Sequence, residues 1–70
     1  MEEKDKLRRL IPYWITHNIE HANEFRDWAL LADTASEEIN TAADTLILAN
    51  ESLLSALKKL GGDIQPSSTQ

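Results

Sequence analysis

Apolar residues return along this chain in steps of three and four. The first half carries them at Leu7, Leu10, Ile11, Trp14, Ile15, Phe25, Trp28 and Leu31, the second at Ile39, Ala43, Leu46, Leu53, Leu57 and Leu60. That rhythm belongs to the α-helix, whose neighbouring turns bring such positions onto one face. No stretch alternates with a period of two, so strands are not expected. Thr34, followed three residues later by Glu37, reads as a capping box. It starts a second helix over about residues 35–60, closed by Lys58-Lys59-Leu60 and a left-handed Gly61. The first helix is expected over about residues 4–32, kinked at Pro12, because a proline inside a helix costs about 3 kcal/mol. Two or three residues between the helices force an antiparallel hairpin. Residues 1–62 therefore form one all-α domain. Residues 63–70, with Pro66 and Ser67-Ser68, read as a flexible C-terminal tail.

Two helices bury only one stripe each against the other. Ile15, Ile19, Ile47, Leu48 and Leu54 lie outside that stripe, and a surplus of this kind is usually hidden in an interface. Seventy residues without cysteine can build neither a large core nor a disulfide staple. A homo-oligomer, with a dimer of hairpins forming a four-helix bundle favoured, closes the core economically. A separate protein partner remains open.

Charge narrows the choice further. The net charge is −5 and the acidic residues are spread along both halves, which disfavours nucleic acid as a partner. The basic cluster from Lys6 to Arg9 is interleaved with leucines and reads as an ordinary helix face. No stretch approaches the roughly 20 apolar residues of a membrane span. The charged N-terminus is followed by no apolar signal-peptide run, so a cytoplasmic protein is expected.

Written as heptads from Leu7, the first helix sets Leu7, Trp14, His21 and Trp28 at position a. Leu10, His17, Glu24 and Leu31 then fall at d, and Ile11, Asn18, Phe25 and Ala32 at e. The middle of this stripe is polar where leucine is normal. With the turn centred near residues 33 and 34, Trp28 lies level with Ile39, Trp14 with Leu53, Leu10 with Leu57, and His17 with Asn50. Asn50 itself interrupts the apolar stripe of the second helix.

Two readings fit that coincidence. Histidines four residues apart share a helix face, so His17 and His21 are spaced to bind one Zn²⁺, Ni²⁺, Co²⁺ or Cu²⁺. Glu20 or Glu24 would add a carboxylate, and Asn50 would orient an imidazole from behind. A two-fold dimer would supply the pair twice and complete four ligands. The other reading is a buried His/Asn network that specifies helix pairing, as a core asparagine does in coiled coils. His17-Asn18-Ile19-Glu20-His21 also matches the H-x-x-E-H string of inverted zincin peptidases, but the chain has no third histidine and no room for a substrate cleft. An enzyme is not expected.

Trp14-Ile15-Thr16-His17-Asn18-Ile19-Glu20-His21-Ala22, followed by Phe25, Trp28-Ala29, Ala49-Asn50 and Leu57 to Gly62, resembles a family of short prokaryotic proteins. They share a W-x-x-H-N-x-E-H-A core and a second helix carrying Ala-Asn. The likeness spans most of residues 7 to 62. It implies a functional set of His17, Asn18, Glu20, His21 and Asn50 and a setting beside nickel and cobalt uptake. It implies no catalytic activity. The expectation is a small non-enzymatic protein that binds or responds to a transition metal, the alternative a structural or protein-interaction module.

Overall fold

The computed structural model describes residues 2–64. Helix α1 runs over Glu3–Ala29 and helix α2 over Ser36–Leu60, joined through a short 3₁₀ turn at Asp33–Ala35. The two helices pack antiparallel into a hairpin, and no strand occurs among the described residues. Pro12 sits inside α1, which continues unbroken on both sides of it. Of the tail expected over residues 63–70, only Asp63 and Ile64 lie within the described residues. Among those residues no helix is long and apolar enough to cross a membrane.

The ends of the helices follow their local chemistry, with two departures from expectation. Gly61 adopts φ 109° and closes α2 as expected: its N–H bonds the Lys58 carbonyl at 3.1 Å, and that of Gly62 the Leu57 carbonyl at 2.9 Å. This pair of bonds is the Schellman arrangement, which satisfies carbonyls the helix leaves over. Helix α1, however, stops at Ala29 rather than near residue 32. Leu31 and Ala32 bond back three residues, to Trp28 and Ala29, so the last turn tightens before Asp33 reverses the chain at φ 56°. A short polar side chain tolerates that left-handed conformation better than most. The Thr34–Glu37 capping box does not form either. The 3₁₀ turn carries the chain directly into α2, whose N-cap is Ala35 without a side-chain bond. Glu37 and Glu38 in the first turn still complement the helix dipole.

Burial shows how α1 is rotated. Ile11, Ala22 and Ala29 of α1 and Ala43 and Leu57 of α2 are buried; Ile15, Asn18, Phe25, Ile39, Leu46, Asn50 and Leu53 are half-buried around them. Spacings of 4 and 3 along 11, 15, 18, 22, 25 and 29 define the true seam of α1. It is a neighbouring stripe to the expected one, and Trp14 and Trp28 are left on the flank. The alanines explain the choice: helix separation depends on the side chains at the contact, and Ala22, Ala29 and Ala43 allow closer approach than indoles would. The level-by-level pairing is nevertheless close to expectation, since Asn18 meets Asn50 and Trp28 lines one cleft with Ile39. At the open end Arg8 clamps the hairpin, donating from Nε to the Gly62 carbonyl at 2.7 Å and from Nη2 to the Gly61 carbonyl at 3.2 Å. Nearer the turn, Arg26 reaches Asp44 at 2.9 Å.

Candidate functional site

Rotation of α1 moves the histidines out of the seam. The side chains of His17 and His21 are 48% and 57% exposed, on the flank that also carries Trp14 and Trp28. The hairpin therefore holds no buried His/Asn cluster, and Asn50 pairs with a residue other than His17. What meets at that level is a pair of asparagines. Asn18 donates from Nδ2 to Asn50 Oδ1 at 2.9 Å, and Asn50 donates from Nδ2 to the Ile15 carbonyl at 3.2 Å. The polar interruption in α2 is satisfied by α1, one position along from the residue expected there. Asn18 and Asn50 fasten helix to helix, and neither orients an imidazole.

The histidines form a second arrangement along the outside of α1. Their ring centroids lie 5.7 Å apart at 55°. Each ring turns Nδ1 towards the glutamate three residues on: His17 Nδ1 is 3.3 Å from Glu20 Oε1, and His21 Nδ1 is 3.6 Å from Glu24 Oε1. On the other side of the first ring, Tyr13 Oη lies 2.9 Å from His17 Nε2, its ring centroid 4.5 Å from that of His17. A carboxylate only accepts, so Glu20 selects the Nδ1–H tautomer of neutral His17, and Nε2 then accepts the Tyr13 O–H. Tyr13, His17 and Glu20 thus form a line of hydrogen bonds at i, i+4 and i+7. Sequence reasoning misses Tyr13, although its spacing of four from His17 is an available signal.

The donors therefore divide by role. Glu20 and Glu24 stand behind the rings at Nδ1, the place a carboxylate takes when it orients a metal-binding histidine. The Nε2 atoms are the ring nitrogens not turned towards a carboxylate, and that of His17 accepts from Tyr13. Among the described residues no three His, Cys, Asp or Glu side chains are grouped to hold an ion, and this face carries two imidazoles. Such a pair suits Zn²⁺, Ni²⁺ or Co²⁺ in ligand type and falls short of the four ligands of a closed structural zinc centre.

Beside this face lies an open apolar cleft of about 530 Å³, lined by Glu24, Phe25 and Trp28 from α1 and Glu38, Ile39 and Ala42 from α2.

A family model for a domain of unknown function matches residues 7–60, which include the hairpin seam, both histidines, Asn18 and Asn50. No curated protein and no solved structure matches the chain.

Proposed function

We propose, for a chain that belongs to the DUF8180 family of domains of unknown function, a small non-enzymatic accessory protein that binds a divalent transition metal through His17 and His21. One observation carries this reading: two imidazoles 5.7 Å apart on one exposed helix face, each with a glutamate at Nδ1. A glutamate there holds the ring and leaves Nε2 as the atom a metal would take. Zn²⁺, Ni²⁺ and Co²⁺ are the cofactors in question. The remaining coordination positions fall to water or to a second molecule. Binding and release, with no reaction, are what a half-site on an exposed face suits, and a cytoplasmic setting is compatible with a chain lacking cysteine.

Isothermal titration calorimetry with Zn²⁺, Ni²⁺ and Co²⁺ tests the reading. The parent should bind with release of heat and melt at a higher temperature with metal, while His17→Ala/His21→Ala should do neither. Equal binding by parent and double variant would refute it.

A second reading, a structural or protein-interaction module, is favoured by a different observation. Large apolar side chains stand in the open, among them Trp28 at 62% exposed, Leu48 and Leu54. Under that reading the Asn18–Asn50 pair sets the hairpin register and the histidines belong to a contact surface.

A further inference from the structure

Trp28 and Ala42 line the same cleft, so they mark one flank of the hairpin on α1 and α2. Residues seven apart return to nearly the same helix face. That flank therefore also carries Trp14 and His21 on α1, and Ala49 and Ala56 on α2, all of them exposed. Large side chains thus run along one helix and small ones along the other, each set at heptad spacing. With extents of 47 and 23 Å along its two longer axes, the hairpin presents a side of roughly 1,000 Å². A stable dimer needs about 800 Å² from each partner.

Charge selects the occupant and its direction. Residues 2–9 and 58–63, forming the open end, hold six of the seven Lys and Arg residues against four acidic residues. Residues 20–44, forming the turn half, hold seven acidic residues and only Arg26 as a cation. The rod is basic at one end and strongly acidic at the other. A copy reversed end for end complements it at both ends.

We infer that a second copy of this chain docks on the Trp14/Trp28 flank, antiparallel, about a two-fold axis beside His21 and Ala49. The spacing fits: Trp14 and Trp28 are 14 residues apart, as are Ala42 and Ala56, and His21 and Ala49 lie midway in each set. A two-fold axis across the flank lays α1 on α1 and α2 on α2. Trp14 of one copy then meets Trp28 and the cleft beside it in the other, twice over. Ala42 meets Ala56, and Ala49 meets its own copy, so the α2 helices approach closely while the indoles fill the wider side. Lys6 approaches the acidic turn of the partner. The four imidazoles gather near the axis, although the docking itself does not depend on metal.

Sedimentation velocity of the full chain without metal is the test. It should give twice the chain mass, and raising NaCl from about 0.05 to about 1 M should weaken association at least about 10-fold, as paired surface charges require. Trp28→Glu and Ala56→Glu should each return the chain mass while helical circular dichroism persists. Should either variant unfold, the parent remains informative through a nitroxide at Thr34→Cys on the turn, which leaves the face untouched. Antiparallel docking places the two labels roughly 40 Å apart at 1.5 Å rise per residue. A folded monomer at high concentration, labels close together, or a dimer indifferent to both glutamates would overturn the inference; a folded monomer would leave the face to a different protein.

Discussion

Asn18 and Asn50 hold each other across the hairpin, Nδ2 to Oδ1 at 2.9 Å, and Asn50 uses its own amide to reach the Ile15 carbonyl at 3.2 Å. Both residues are half-buried in a seam that is otherwise apolar. Sliding one helix by a turn would strand both amides among aliphatic side chains, so the pair specifies register as well as adding bonds. Asn50→Ala should cost about 1–3 kcal/mol, because it leaves Asn18 without its partner. The double change Asn18→Ala/Asn50→Ala should cost less than the sum of the single changes, a coupling that urea denaturation of all four proteins would measure. Additive losses would mean that the pair does not act as a unit.

The alanines of the seam make the opposite kind of prediction. Ala22 and Ala43 are 1% and 0% exposed, buried between the helices. Ala43→Leu should destabilise by about 1–3 kcal/mol through overpacking, a drop of several degrees in melting temperature for a domain this size. Thr45, exposed on the outside of α2, offers a control, and Thr45→Leu should leave the hairpin within about 0.5 kcal/mol.

Gly61 ends α2 at φ 109°, and a Cβ built there would lie 3.3 Å from the Arg8 guanidinium carbon. Gly61→Ala should therefore cost about 1–2 kcal/mol from backbone strain. It should also loosen the Arg8 clamp, read as faster amide exchange in the last turn of α2. Gly62 has a positive φ of 90° but open space around it, so Gly62→Ala should strain the backbone and leave Arg8 in place.

Tyr13 competes for the nitrogen that the proposed metal would take. Its hydroxyl lies 2.9 Å from His17 Nε2, and Tyr13→Phe removes that bond while keeping the ring. Metal binding by the variant should tighten by a few-fold, which competition against a chromogenic chelator would detect. Weaker binding would instead identify the phenol as a ligand.

Much of this architecture is legible in residue order. The rhythm of apolar positions locates both helices, Lys58-Lys59-Leu60-Gly61 marks the end of α2, and the break at Asn50 points to a polar contact at the right level of α1. The rotation of α1 is not legible. Ile11, Ile15, Phe25 and Ala29 form one stripe with steps of three and four, and Leu10, Trp14, Trp28 and Leu31 form another beside it. Counting hydrophobicity favours the stripe with tryptophans; close packing favours the one with alanines, and packing prevails. That choice turns His17 and His21 outward and puts Asn18 where a histidine is expected. The end of α1 is hidden for a related reason, since a left-handed Asp33 has no sequence signal as strong as a glycine's.

Asp33 has a wider consequence. It is the one non-glycine residue with positive φ among the described residues, and the reversal of the chain passes through it. Were that residue and the turn around it to relax into helix, α1 and α2 would run on as a single rod of some 58 residues, about 87 Å long. Two such rods laid side by side recreate every contact of the hairpin between separate molecules. The fold-back and the exchanged form share the contacts between the helices and differ at the turn.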